Sequence, residues 1–325
     1  MSFATDLQIN PKIKSIGSKV TKANNDLTKK VTEVSLEQQF IASSSSQVDL
    51  EFDANINTLW LTMLAETRPC FTPELLHELA EAQYTMKRLN QAYSSGAQMP
   101  VKYKVIGSDC DGVFNLGGDL NLFQQLIASA NKAQLTAYAT ACIDVIHRNA
   151  IASNQPVITI AMLQGDALGG GFETALSCDV IIAEKQVKMG LPEILFNLFP
   201  GMGAYSFLSR KLGGKLAEKI ISSGILYSAQ ELFDMGLVDV LANEGEGRST
   251  THAYIKNHHR KHNAYSAIFQ AGKQVQPVSY EELKSVVDIW VEAALRLSPQ
   301  DLRKMQRLVS AQDKFAPQPA QALRR

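Results

Sequence analysis

A chain of 325 residues with 45% hydrophobic content can bury a large core, and its 32 basic side chains are matched by 32 acidic ones, without the cationic excess a nucleic-acid partner selects. The balance is uneven: residues 1–47 carry six Lys against four acidic side chains and residues 255–325 carry twelve Lys and Arg against six, a pattern that a solvated helical surface accounts for. The N-terminus lacks the continuous apolar core of a signal peptide and no stretch reaches the roughly 18 apolar residues of a membrane span, so no membrane insertion is expected and the cytoplasm is the expected compartment.

Up to residue 46 the chain is polar and closes on Ser43-Ser44-Ser45-Ser46, with few side chains to offset the entropy of ordering. A mobile polar leader is expected over 1–46. Val48 to Phe52 and Ile56 to Leu61 then alternate as two antiparallel strands. Thr72 as N-cap and Pro73 at the first helical position open a helix to about Ala92, and Lys102 to Ile106 returns to strand. After Val113 to Asp119 come two amphipathic helices reaching Ala150, then a buried strand within 156–163, a helix over 170–177, a strand over 178–184 and a bend at Gly190-Leu191-Pro192. Strands alternating with helices make an α/β core, expected over 47–245 and carrying the site. From 246 to 318 the pattern is helical, with Leu283, Val286, Val287, Trp290 and Ala294 at three- and four-residue spacing, before a tail over 319–325. No sequence repeat is legible.

Chemistry concentrates in the glycine-rich turns. Gly117-Gly118 and Gly169-Gly170-Gly171 each follow an apolar strand-like run and precede a helix-like one, so two turns offer two backbone N–H donors for one oxyanion. Glycines alone also serve tight turns. Glu173 and Glu193 stand beside them, and two carboxyls in different surroundings can divide proton removal from proton delivery, although each alone suits the first turn of a helix for structural reasons. Other chemistries find no support. Cys70, Cys110, Cys142 and Cys178 form no Cys-x-x-Cys pair, His258, His259 and His262 sit in a basic run that reads as solvated, and no metal is expected. Gly201-Met202-Gly203 is followed by Ser206 where a dinucleotide fingerprint needs a third glycine or alanine, and there is no Gly-x-Ser-x-Gly elbow or Walker A loop. Met202, Trp290 and Leu308 read as packing residues on generic grounds.

Gly165-Asp166-Ala167-Leu168-Gly169-Gly170-Gly171-Phe172-Glu173, Gly190-Leu191-Pro192-Glu193 and Phe199-Pro200-Gly201-Met202-Gly203 together resemble the signature of the crotonase (enoyl-CoA hydratase/isomerase) superfamily. Phe114-Asn115-Leu116-Gly117-Gly118-Asp119 is similar to its first oxyanion loop, and the likeness runs over roughly 47–315. It implies a spiral of ββα units with a C-terminal helical trimerisation region, a homotrimer or dimer of trimers, and no cofactor beyond an acyl thioester of acyl carrier protein or CoA. Within the superfamily, Met189-Gly190-Leu191-Pro192-Glu193-Ile194-Leu195-Phe196 and Gly203-Ala204-Tyr205-Ser206-Phe207 resemble the diffusible-signal-factor synthases of Gram-negative bacteria. That likeness implies dehydration of a 3-hydroxyacyl thioester on acyl carrier protein to the cis-2-enoyl form, followed by thioester hydrolysis to a free quorum-sensing fatty acid. It carries over Glu173 and Glu193 as the acid/base pair, the N–H groups of Gly118 and Gly170 as the oxyanion hole, and Leu168, Met202, Trp290 and Leu308 as acyl-pocket residues. Acyl carrier protein and a sensor-kinase regulator are the partners it implies. An ordinary acyl-CoA hydratase or isomerase and a non-catalytic regulator are the competing readings.

Overall fold

The computed structural model describes residues 35–64, 68–94 and 99–313, and residues 1–34 of the expected leader lie outside them. Among the described residues ten strands form two sheets. The larger holds β1 (Val48–Asp53), β2 (Thr58–Met63), β3 (Tyr103–Ser108), β5 (Ile158–Leu163), β7 (Val180–Glu184) and β10 (Val240–Ala242) in the order β1-β2-β3-β5-β7-β10, all parallel except the β1/β2 hairpin. The smaller holds β4 (Val113–Asn115), β6 (Asp166–Leu168), β8 (Lys188–Gly190) and β9 (Leu226–Ser228), with β4, β6 and β8 parallel and β9 antiparallel.

The connectivity is a spiral. β3, β5 and β7 enter the large sheet, and each is followed at once by a strand of the small sheet, β4, β6 or β8, and then by helix. This is a structural repeat that the letters do not display, because what recurs is burial and turn geometry. Strand β5 is buried at all six positions and β7 at all five, as parallel strands covered on both faces must be. The helices over Leu120–Ala128 and Lys132–Ala150 confirm the two expected before Ala150, and Asp119 caps the first by accepting from Asn121 N and Leu122 N, each at 3.1 Å. The expected helix start at Thr72 is also met, its hydroxyl accepting from Leu75 N at 3.1 Å.

The leader's expected limit at residue 46 is corrected. Ser35 and Gln38 form a capping box for a helix over Leu36–Ile41 that buries Phe40 completely, its ring 5.7 Å from that of Phe52. Of the serines that suggest a solvated linker, Ser45 and Ser46 are held by Glu78, whose carboxylate accepts from Ser46 Oγ at 3.0 Å and Gln47 N at 2.7 Å, while Ser43 donates to Gln39 O and Ser44 to Asp49. One aromatic anchor and one carboxylate offset the ordering cost that composition alone leaves uncovered.

The C-terminal helices over Tyr280–Ala294 and Pro299–Asp313 share a buried cluster with Leu126, Ile127, Leu135, Ile143, Phe196 and Leu198, so the region beyond 246 is packed into the body that carries the site. No helix of the described residues is long and apolar enough to cross a membrane.

Candidate active site

Strands β4, β6 and β8 lie side by side and parallel, with Asn115 opposite Ala167 and Leu168 opposite Gly190. The three segments leaving their C-terminal ends, 116–119, 169–173 and 191–193, therefore emerge together, where loops of a parallel sheet commonly meet a ligand. They wall one cavity, which Gly118, Gly170, Leu168, Glu173, Glu193, Met202, Trp290 and Leu308 all line. Every site residue expected from the sequence is brought to that space.

The glycines there are dictated by close approach. A Cβ on Gly117, whose φ is +88°, would stand 2.9 Å from Gly170 N and from Leu168 O, so the first glycine turn rests on the second. A Cβ on Gly169, φ +52°, would stand 2.5 Å from Glu193 Oε1. The peptide joining Gly117 to Gly118 is planar, and Phe71 N donates to Gly117 O at 2.7 Å on one side. Gly118 N–H must point the other way, and it makes no hydrogen bond among the described residues. Gly170 is the first residue of the helix Gly170–Leu176, so its N–H has no intrahelical acceptor.

Glu173 is 1% exposed, and its Oε1 accepts from Met202 N and Ala204 N, each at 2.8 Å. One carboxyl oxygen is thus anchored by the 201–204 turn and the other is left for chemistry. Burial, and after it the charge of Glu193, hold the Glu173 carboxyl well above the usual carboxylate range, against the pull of the two amides. Burial raises Glu193 as well, and its Oε2 finds no hydrogen-bond partner among the described residues. Two such carboxyls titrate as a pair, and each favours the state in which the other is protonated.

The remaining wall is apolar. Met202 packs over the Gly170 backbone, where a Cβ would fall 2.4 Å from its sulfur, and Trp290 packs on Gly201, where a Cβ would fall 2.6 Å from the indole. Trp290 also meets Phe123, ring centroids 4.9 Å apart. Leu308 approaches from the helix Pro299–Asp313.

Sequence reasoning missed the residues that hold the first glycine turn. Asn115 Oδ1 accepts from Gly117 N at 2.8 Å. Tyr138 donates its hydroxyl hydrogen to Phe71 O and accepts from Asp119 N at 3.0 Å. Burial keeps that phenol protonated by raising it far above its ordinary range. The available signal was a tyrosine on the apolar face of the helix Lys132–Ala150, which needs a partner for its hydroxyl. The histidines expected in a solvated run are instead half-buried in part: His258 stacks on Tyr254 at 4.1 Å, and His262 Nε2 lies 3.1 Å from Lys102 O. Among the described residues no group of three or more His, Cys, Asp or Glu is placed to hold a metal ion.

A family model described as enoyl-CoA hydratase/isomerase matches residues 68–291. The mitochondrial methylglutaconyl-CoA hydratase of Mus musculus is 35% identical over 164 residues, 50% of this chain and 50% of the relative. A probable enoyl-CoA hydratase of Bacillus subtilis (strain 168) is 32% identical over 131 residues, 40% of this chain and 48% of the relative. The chain spans about half the length of the curated relatives it matches. Human mitochondrial delta3-delta2-enoyl-CoA isomerase superposes with a TM-score of 0.67 at 18% identity, over 84% of this chain and 100% of that one. An enoyl-CoA hydratase from Bacillus halodurans gives 0.66 at 21% identity, over 81% and 100%. At such identities these two likenesses establish the fold alone.

Proposed function

The chain belongs to the enoyl-CoA hydratase/isomerase family, and from the likeness of its segments Met189–Phe196 and Gly203–Phe207 to the diffusible-signal-factor synthases we propose that it dehydrates a 3-hydroxyacyl thioester on acyl carrier protein to the cis-2-enoyl form and then hydrolyses the thioester, releasing a cis-2-unsaturated fatty-acid signal. The observation that carries the reading is the pair Glu173 and Glu193, both held above the carboxylate range, facing the cavity that the Gly118 and Gly170 amides line.

In this reading one carboxylate removes the C2 proton while the two N–H groups hold the enolate oxygen, a service for which each donor contributes roughly 3 to 4 kcal/mol. The other carboxyl, protonated, delivers its proton to the departing 3-hydroxyl, which leaves as water. The pair has now exchanged its protonation states. For hydrolysis, the newly ionised carboxylate takes a proton from an attacking water, and the tetrahedral oxyanion falls on the same donors. The other carboxyl returns its proton to the thiolate of the carrier. Two half-reactions thus restore the starting pair, with the proton count closed at each step.

The acyl chain would lie against Leu168, Met202, Trp290 and Leu308. The chain would assemble through its C-terminal helices as a homotrimer or dimer of trimers, which light scattering measures. The names of the curated relatives favour a second reading, an ordinary hydratase acting on acyl-CoA, which uses the same donors and carboxyls. Mass spectrometry separates them. Purified protein supplied with 3-hydroxyacyl-carrier-protein is expected to release free cis-2-enoic acid. Enoyl product found only as thioester overturns the synthase and leaves the hydratase.

A further inference from the structure

We propose that Gln312 is a positioning residue that aims the Gly118 amide into the cavity, reaching the glycine turn from the C-terminal helix that also presents Leu308. The inference rests on the reading of Gly118 as an oxyanion donor and concerns how that donor is held.

Three consecutive peptide planes, from Leu116 to Asp119, contain six backbone polar groups. Gly117 N donates to Asn115 Oδ1 at 2.8 Å, Gly117 O accepts from Phe71 N at 2.7 Å, and Asp119 N donates to Tyr138 at 3.0 Å. Leu116 O and Gly118 O accept from a single group, Gln312 Nε2, at 3.1 and 3.2 Å. Five of the six groups are thereby engaged, and the one left over is Gly118 N–H. The two carbonyls held by Gln312 belong to the peptides on either side of the one that carries the donor. A glycine turn has little side-chain restraint of its own; Phe71 N holds the middle plane at Gly117 O, and the Gln312 clamp on both flanking carbonyls restrains the rotation about the glycine Cα atoms that this single bond leaves free.

Two further facts favour this role over ordinary packing. Gln312 is 3% exposed and its Oε1 has no partner among the described residues, so the amide carries a desolvation cost that an apolar side chain of similar size would not. Leu308 precedes Gln312 by four residues in the helix Pro299–Asp313 and shares its face, and both line the cavity. An acyl chain lying against Leu308 would therefore sit one helical turn from the side chain that holds the carbonyls beside the donor.

The test uses the full chain with Gln312→Glu, which puts oxygen where Nε2 donates, and Gln312→Met, which keeps the volume without a donor. Both are compared with wild type for kcat, KM, binding of a saturated free fatty acid, and the near-ultraviolet absorbance of the enolate of a bound 3-oxoacyl thioester. The expected result is a fall in kcat of roughly tenfold or more, short of the roughly hundred- to thousand-fold cost of deleting a donor outright. KM and fatty-acid affinity should change little, and the enolate fraction should drop with kcat. Unchanged kcat and enolate fraction overturn the proposal, as does a parallel loss of fatty-acid affinity, which marks a helix merely loosened. Wild type that binds the 3-oxoacyl thioester with no enolate band would instead count against the proposed reaction. In that event hydrogen exchange decides: faster exchange of the 116–119 amides in Gln312→Glu upholds the clamp, and unchanged exchange removes it.

Discussion

At the scale of single residues, the two glutamates differ in how they are held. Glu173 has one oxygen fixed by two backbone amides, whereas Glu193 Oε2 has no such support. Glutamine at 173 keeps a carbonyl oxygen for Met202 N and Ala204 N, so Glu173→Gln should fold normally and lose proton transfer. A fall in kcat on the order of 10²–10⁴ is expected for Glu173→Gln and for Glu193→Gln, read in a steady-state dehydration assay, and full activity in either would remove that residue from the chemistry. The chemistry needs one carboxyl ionised and the other protonated, so wild-type kcat/KM should follow a bell in pH, displaced upward from the ordinary carboxylate range because both groups are raised. Stability carries the same sign. A carboxyl whose folded value lies above its unfolded value binds protons more tightly in the native state, so its contribution is complete in acid and is lost as pH rises through the folded value. Glu173→Gln should therefore gain Tm on wild type as pH goes from weakly acidic to alkaline, and a gap that stays constant with pH would show that the carboxyl is not raised.

Elements were legible where periodicity or a cap announced them. The strands around Val48 and Ile158, the capped helix from Pro73, and the helices on either side of residue 130 follow directly from alternation, threefold and fourfold spacing, and cap chemistry. The short helix Leu36–Ile41 was not, because its stability comes from tertiary contacts: one buried phenylalanine and the serine contacts to Glu78, which lies more than thirty residues away. Phe40→Ala removes that anchor and is expected to cost about 3 to 5 kcal/mol of unfolding free energy in denaturant titration. A loss below about 1 kcal/mol would mean that the segment packs without contributing. The glycine turns were legible as turns, and Gly117 and Gly169 show why: their positive φ and the backbone or carboxyl atoms at the site of a Cβ exclude any other residue. What the letters did not show is which partners hold those turns, since Asn115, Phe71 and Tyr138 act through contacts fixed only by the fold.

Across the whole molecule, the spiral explains why a site spread over 190 positions from Gly118 to Leu308 closes around one cavity. Each turn of the spiral delivers a loop to the same end of the small sheet, and the C-terminal helices add Trp290 and Leu308 to the wall of the same cavity. The last strand ends at Ala242 and the next helix starts at Gly247, and the packing runs across the division expected at residue 246. Trp290 belongs to a cluster with Leu126, Ile143 and Phe196, and Trp60 belongs to a second cluster with Val105, Ile160 and Ile255 from the helix Gly247–His259. Each cluster thus mixes residues from before and after the boundary, so spiral and C-terminal helices are expected to unfold as one unit. The chain has two tryptophans, one in each cluster, so Trp60→Phe and Trp290→Phe give two single-tryptophan reporters. Their fluorescence, referenced to the far-ultraviolet circular dichroism of the same sample, is expected to give coincident denaturant midpoints. A Trp290 signal lost well before that of Trp60 would show that the C-terminal helices open on their own, and the cavity would then have a lid that unfolds separately from the spiral.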